Sequence, residues 1–221
     1  MRARISVIFA CVATALSLLV PGTAAGATTA PPPPEGGRAI FGSNGARCVI
    51  GFNVVRNGSY YFLTAGGCAQ GGLHIYADEA RTVPLGTVAQ VMGGGFKVAL
   101  AQYVDPKKQQ PGTVHTYPGS LEITSAGMPS VGQRVCRSGP VSHVVCGSVT
   151  AVNQTINLPD GVINGVSRTS ICASELPGAP YFTDGRAVGM EIGTSGGCVG
   201  GTSSYFQPIS PVLSAFGVAV Y

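Results

Sequence analysis

The chain has 221 residues, of which 45% are hydrophobic and 10% are charged, with 33 glycines and a formal net charge of +4. This apolar content excludes a disordered chain, and the many glycines with few charges argue against a helical protein. Basic residues are scattered, with one adjacent pair at Lys107-Lys108, so we expect no nucleic-acid partner.

The N-terminus has the three parts of a secretory signal peptide. A basic start at Met1–Arg4 precedes an apolar run at Ile5–Val20, and small residues at Ala25–Ala27 form a cleavage site. The run is shorter than the ~20 residues that a membrane span needs, so we expect no stable span. The sequence therefore predicts a signal peptide over residues 1–27 and a secreted, extracellular protein.

Six cysteines remain once the predicted signal peptide has been removed. An even number of cysteines in an exported chain predicts three disulfide bonds in an oxidising compartment. A metal site is the alternative, but the chain has no Cys-x-x-Cys pair and its three histidines lie far apart. We therefore predict neither a metal nor another cofactor. The six cysteines are Cys48, Cys68, Cys136, Cys146, Cys172 and Cys198.

After the signal peptide, the chain has the pattern of an all-β domain. Residues 28–37 contain four consecutive prolines and are predicted to form an extended, solvated spacer before a domain over residues 38–221. Short apolar segments then alternate with turn signals, and Asn57-Gly58 predicts a hairpin between strands at 48–55 and 60–64. Further strands are predicted at Leu73–Tyr76, Thr87–Val91, Val98–Tyr103, Gly132–Arg137, Val144–Asn153, Ala187–Ile192 and Ser203–Gln207.

One helix is predicted at the C-terminus. Ser210 suits the N-cap, and Pro211 suits the first helical position. Val212 and Leu213, together with Phe216 one turn later, would then lie on one face of this helix. The glycine at position 217 would end it.

Several runs of residues, taken in order, resemble one family. They include Gly51–Val54, Tyr61–Cys68, Thr194–Gly197 and Tyr205–Pro208. Together they are similar to the streptogrisins and α-lytic-type enzymes, the secreted bacterial branch of the chymotrypsin-like (trypsin-like) serine proteases, over nearly all of residues 38–221. This resemblance implies two antiparallel six-stranded β-barrels, with a junction near residues 105–118, a cleft between them and a C-terminal helix. It also implies the disulfide pairs Cys48–Cys68, Cys136–Cys146 and Cys172–Cys198.

The resemblance also implies where a catalytic triad would stand, and all three positions hold other residues. The family has histidine in Thr-Ala-Gly-His-Cys, where this chain has Gly67, and an aspartate before a strand, where this chain has Lys97. The nucleophile loop is one residue shorter here, and alignment back from Pro180 places Pro177 at the serine position. Glycine cannot take a proton, lysine reverses the local charge, and proline has neither hydroxyl nor amide hydrogen. We therefore predict that no catalytic residue is intact.

A second part of the family's cleft is retained. In the family, the stretch that matches Thr194, Ser195, Gly196 and Gly197 is a wall of the specificity pocket that pairs with substrate backbone. We therefore predict a binding strand at these four residues, with a tight glycine turn before the next cysteine as the alternative.

Three functions remain open from the sequence. The favoured hypothesis is a monomeric pseudoprotease that binds a peptide, a protein or a protease inhibitor in the old substrate cleft. The second is a serine endopeptidase with residual or rewired activity, which needs a new base from His74, His115 or His143, and Ser174 is the hydroxyl nearest the old nucleophile position. The third is a structural or antigenic surface protein.

Overall fold

The structure is a computed structural model that describes residues 31–70, 74–92, 98–158, 161–195 and 203–221. The predicted signal peptide lies outside these ranges. Sixteen strands and one α-helix make up the regular structure within them, which confirms the predicted all-β class with a C-terminal helix. Within the same ranges, no helix has both the length and the apolar character that crossing a membrane requires.

The first half of the domain is one antiparallel sheet. Its strands are β1 (Ala39–Gly42), β2 (Arg47–Val49), β3 (Asn53–Arg56), β4 (Ser59–Ala65), β5 (His74–Tyr76), β6 (Pro84–Val91) and β7 (Val98–Tyr103). They lie in the order β2-β1-β5-β6-β7-β4-β3, a half-barrel among the described residues. The predicted hairpin is confirmed, because Asn57 and Gly58 join β3 to β4 with φ of 51° and 66°, as a tight turn of this kind requires.

The single strand predicted over residues 48–55 is wrong, because the chain changes partner in its middle. Ile50 donates its amide to the Arg38 carbonyl, whereas Gly51 donates to the Leu63 carbonyl on β4. A side chain at Gly51 would also collide with Met190, since its Cβ would lie 2.6 Å from the Met190 Cε. The glycine therefore leaves room for the Met190 thioether against the backbone between β2 and β3.

The second half of the domain closes into a barrel. A short hairpin of β8 (Thr113–His115) and β9 (Ser120–Glu122) precedes it. The strands of the second sheet are β10 (Ser125–Ala126), β11 (Arg134–Gly139), β12 (His143–Leu158), β13 (Gly161–Thr169), β14 (Pro180–Thr183), β15 (Arg186–Ser195) and β16 (Ser203–Pro208). Six of them form a ring, β15-β14-β11-β12-β13-β16, which a second pairing of β15 with β16 closes, and β10 adds in parallel outside it.

The C-terminal helix α1 spans Ile209–Phe216 and starts earlier than predicted. Ser210 is not its N-cap, because the helix already includes Ile209, whose side chain is fully buried. Pro211 then stands at the third helical position, where its missing amide hydrogen costs little because first-turn amides have no acceptor within the helix. Gly217 ends the helix as predicted, in a left-handed conformation with φ of 63°.

The C-terminal end of the predicted spacer belongs to the folded core. Glu35 is 7% exposed, and its Oε1 accepts hydrogen bonds from the hydroxyls of Thr113 (2.9 Å) and Ser120 (2.6 Å). The Pro34 carbonyl accepts a hydrogen bond of 2.7 Å from Asn53 Nδ2. The predicted solvation is therefore wrong for these residues, because they satisfy polar groups of the first sheet and of the β8–β9 hairpin.

One hydrophobic cluster joins the two sheets. It brings Val54 and Leu100 of the first sheet together with Phe182 and Met190 of the second, and Ile209 of α1 closes it. The two sheets therefore share a core, and the loops at the edge of this contact face each other.

Candidate active-site cleft

The turn after β4 holds the first of the predicted triad positions. A single 3-10 turn over Gly66–Cys68 follows Ala65, and the Asn44 side-chain amide donates to the Gly67 carbonyl at 3.3 Å. Gly67 is exposed, and a Cβ built on it would have no atom within 4 Å. The turn is thus fixed by its backbone, while the space beside Gly67 is open.

The second predicted triad position, Lys97, lies outside the described residues. Its successor Val98 begins β7 and is paired with Ala65 at the end of β4. The backbone register therefore places the start of β7 directly beside the turn that carries Gly67.

The third predicted position, Pro177, lies on a loop that reaches the same place. Pro177 is exposed, and its carbonyl accepts a hydrogen bond of 3.1 Å from the Val49 amide. Gly178 follows with φ of +92°, and a Cβ there would lie 2.8 Å from the Val49 oxygen and 2.9 Å from the Ala65 nitrogen. Only glycine combines this conformation with this contact, so position 178 fixes how closely the loop approaches the Gly67 turn.

Glu175 holds the middle of this loop against the β11–β12 hairpin. Its Oε2 accepts hydrogen bonds of 2.9 Å from both the amide and the hydroxyl of Ser142, and its Oε1 accepts one of 2.9 Å from the Leu176 amide. The Val141 amide lies 3.3 Å from both oxygens. The sequence singled out Ser174 as the hydroxyl nearest the old nucleophile position, and Ser174 is exposed, but the anchoring role of Glu175 was missed.

A buried ion pair lies behind the loop. Arg137 of β11 and Glu191 of β15 are 0% and 3% exposed, and Arg137 Nη1 donates to Glu191 Oε2 at 2.8 Å. The Tyr181 hydroxyl donates to the same oxygen at 2.6 Å. Burial raises the pKa of Glu191 to about 7, although Arg137 and the Tyr181 hydrogen bond oppose this rise.

The same cluster fixes both ends of the loop. Arg137 Nη2 donates to the Ala173 carbonyl at 2.6 Å, and the Ser204 hydroxyl donates to the Ile171 carbonyl at 2.9 Å. At the other end, the Gly178 amide donates to the Glu191 carbonyl at 3.0 Å. The loop is therefore held at its start, middle and end by contacts that no local sequence pattern indicates.

The predicted binding strand begins at the end of β15. Thr194 and Ser195 belong to β15, whereas Gly196 and Gly197 lie outside the described residues. Thr194 is paired with Ser204 of β16, but the Ser204 amide donates to the Ile171 carbonyl on the opposite side. Because the amide and carbonyl of one strand residue point to the same side, those of Thr194 point away from β16. This edge of Thr194 has no strand partner within the described residues.

The histidines lie away from this cleft chemistry. His115 Nδ1 is 3.3 Å from Glu35 Oε2. The His115 ring packs edge-on against the Tyr117 ring, and the His143 ring stacks on the same tyrosine. Burial lowers the pKa of His115. His74 is exposed on β5. None of the hydrogen bonds between described residues joins a histidine ring to a serine hydroxyl.

Two of the three predicted disulfides are confirmed. Cys48 is bonded to Cys68 and Cys136 to Cys146. Cys172 is also disulfide-bonded, and its predicted partner, Cys198, lies outside the described residues. The first bond fixes the Gly67 turn to β2, and the second spans the hairpin that Glu175 contacts.

A half-barrel and a closed barrel of antiparallel strands, with the β4 turn, the start of β7 and the loop before β14 brought close together, are typical of the chymotrypsin-like class of serine protease folds. A scan against protein-family models finds no match. Comparison with individual proteins gives a clear result. Streptogrisin-D of Streptomyces griseus is 38% identical over 84% of this chain, although the match spans only 47% of that protein. Glutamyl endopeptidase 2 of Streptomyces griseus is 37% identical over 84% of this chain and 98% of its own length.

Solved structures agree with these matches. An α-lytic protease homologue, N4, has a TM-score of 0.75 and 38% identity, and the match covers 85% of this chain and 98% of that one. A glutamic acid-specific serine protease has a TM-score of 0.78 and 36% identity over 84% of this chain and 99% of its own. The chain belongs to the streptogrisin-type family of chymotrypsin-like bacterial serine proteases.

Proposed function

We propose that this protein is a secreted pseudoprotease that binds an extended peptide segment in its cleft and does not cleave it. The segment belongs to a peptide, a protein or a protein inhibitor of proteases. The observation that carries the proposal is the exposed edge of β15, where the Thr194 amide and carbonyl point away from β16 beside a rigid loop. An extended peptide can add to such an edge as a further strand.

The residues at the catalytic positions support binding without chemistry. Gly67 and Pro177 lie on two loops that contact each other through Gly178, and neither side chain can act as a base or as a nucleophile. Acyl transfer in this class also needs amide donors for the oxyanion. Pro177 has no amide hydrogen, and the Leu176 amide donates to the Glu175 carboxylate. The sequence adds a lysine, Lys97, at the aspartate position.

The described histidines do not favour a rewired hydrolase. His115 is engaged with Glu35 and Tyr117, and His143 stacks on the other side of the same tyrosine. The hydroxyl of Ser142, next to His143, donates to Glu175. A serine is a weak nucleophile without an adjacent base, so this arrangement does not activate the Ser142 hydroxyl. Export through a signal peptide agrees with the two disulfides, which persist in oxidising compartments.

Labelling with a fluorophosphonate probe tests the absence of chemistry. The purified full chain and an active streptogrisin are incubated with the probe before and after heat denaturation. We expect label on the streptogrisin only. Label on the native chain that is lost on denaturation would refute the proposal, and mapping it would show which serine is activated.

Peptide binding at the β15 edge has its own test. A library of extended peptides is screened by calorimetry, and the best binder is titrated into Thr194→Pro and Thr194→Val variants. The proline deletes the outward amide, whereas the valine retains it, so we expect about a tenfold loss of affinity for the first variant only. Equal affinities of both variants, or no binding from the library, would overturn the proposed binding mode.

A further inference from the structure

The Glu175 carboxylate occupies a pocket of hydrogen-bond donors in the cleft wall. The Ser142 amide and hydroxyl each lie 2.9 Å from Glu175 Oε2, and the Leu176 amide lies 2.9 Å from Oε1. The Val141 amide adds longer contacts of 3.3 Å to both oxygens. Main-chain amides that converge in this way form an anion-binding concavity, and hydrogen bonds to a charged acceptor are about twice as strong as neutral ones.

The backbone is shaped to admit this carboxylate. A Cβ built on Gly139 would lie 2.2 Å from the Glu175 Cδ and 2.5 Å from its Oε2. Any other residue at position 139 therefore displaces the carboxylate from the donors. The absence of a side chain at position 139 therefore leaves the room that the Glu175 carboxylate occupies.

A buried positive charge supports the pocket. Arg137 Nη2 donates to the Ser142 hydroxyl at 3.1 Å, and this hydroxyl in turn donates to Glu175. A continuous hydrogen-bonded chain thus runs from the guanidinium to the carboxylate. Pro177, which is exposed, follows Glu175 by two residues on the same loop.

We propose that the donors around Ser142 and Leu176 form a carboxylate-binding pocket. The Glu175 carboxylate of the same chain fills this pocket and thereby keeps external anions out. The cleft then rejects a ligand that presents a carboxylate beside Pro177, such as a peptide with its C-terminus at that point. Removing the Glu175 side chain converts the pocket into a binding site for a small external carboxylate. The pocket stands on its own geometry, and only its effect on peptide choice rests on the proposed function.

Rescue by acetate tests the pocket without any peptide. Melting temperatures of the wild type, Glu175→Ala and the exposed control Glu79→Ala are measured in sodium acetate and in sodium chloride of equal ionic strength at pH 7. We expect a saturable rise in acetate for Glu175→Ala alone. At ten times its dissociation constant, acetate shifts the folding equilibrium of this variant about 11-fold towards the native state. Amide shifts of Ser142 and Leu176 in NMR spectra should follow the same saturation curve.

Each other outcome is also decisive. A folded Glu175→Ala variant that responds equally to acetate and to chloride would overturn the proposal. If this variant does not fold in chloride, the refolding yield in acetate replaces the melting curve, and failure to refold in both salts would overturn it. Glu175→Gln fills the same space without charge, so it should show no saturable acetate response, and such a response in this variant would place the acetate elsewhere.

The consequence for peptide choice is measured separately. The best library peptide is compared with free and amidated C-termini, on the wild type and on Glu175→Ala. We expect the free carboxylate to gain affinity only on the variant. If acetate binds but no peptide binds either protein, the pocket stands and the proposed function fails. If peptides bind and the C-terminus makes no difference, the pocket has no part in peptide choice.

Discussion

The buried carboxyl of Glu191 should make the protein more stable at pH 5 than at pH 8. Burial raises its pKa to about 7 in the folded protein, against 4.5 for a free glutamate. The folded state therefore binds the proton more tightly than the unfolded chain does. This contribution to stability is complete below pH 4.5 and is lost as the pH rises through 7. Between pH 5 and pH 8 the loss amounts to about 2–3 kcal/mol.

Urea unfolding at several pH values measures this loss. The free energy of unfolding of the wild type is compared with that of Glu191→Gln, which cannot titrate but keeps the side-chain shape. The difference in the free energy of unfolding between the two proteins reports the titration of Glu191, because other titrating groups such as His115 are common to both. We expect the wild type to lose about 2–3 kcal/mol relative to the variant between pH 5 and pH 8.

A pH-independent difference between the two proteins would refute this reasoning. Glu191→Gln leaves Arg137 without a charged partner, so folding of the variant is checked before the comparison. If the variant does not fold, the ¹³C shift of the Glu191 carboxyl in the wild type gives the titration directly. A midpoint near 4.5 would mean that Arg137 and the Tyr181 hydrogen bond together offset the cost of burial.

Three further predictions concern single contacts. Gly178→Ala should cost about 2 kcal/mol more in urea unfolding than the matched variant Gly45→Ala, because both glycines have positive φ but only Gly178 faces backbone atoms within 3 Å. Tyr103→Phe removes a hydroxyl that donates to Asn53 Oδ1 at 2.7 Å in the core, and should cost about 1–3 kcal/mol. Gly67→His should change stability by less than about 0.5 kcal/mol, because the added side chain meets open space, and the variant should still take no fluorophosphonate label.

Strands with an unbroken local pattern could be predicted from the sequence, and interrupted ones could not. Val98–Tyr103 was predicted with the observed bounds, because it is a continuous apolar run. By contrast, β13 was missed. It contains Asn164-Gly165, a dipeptide typical of turns, but in the structure Gly165 has φ of 71° within the strand, where the β12–β13 register is irregular. A glycine with positive φ, such as Gly165, can form either a bulge or a turn. Only the strand that pairs with it distinguishes the two.

The loop anchors of the candidate site were beyond sequence reasoning for a different reason. Glu175 contacts Ser142 across 33 residues, and Arg137 contacts Glu191 across 54. Neither spacing has a period that a helix or a strand would explain. One signal was available: Glu191 is a lone charged residue in the predicted strand Ala187–Ile192, and an isolated charge on a buried strand needs a partner.

The rigidity of the loop before β14 is itself an argument for binding. Hydrogen bonds hold this loop at Ile171, Ala173, Glu175 and Gly178, so its conformation is set before a peptide arrives. Association with a peptide loses affinity when the binding surface must first become ordered. A cleft wall that is already ordered avoids that loss. The anchors therefore fit a protein that presents a preformed strand edge at Thr194 to an extended segment, and they fit an inert surface protein less well.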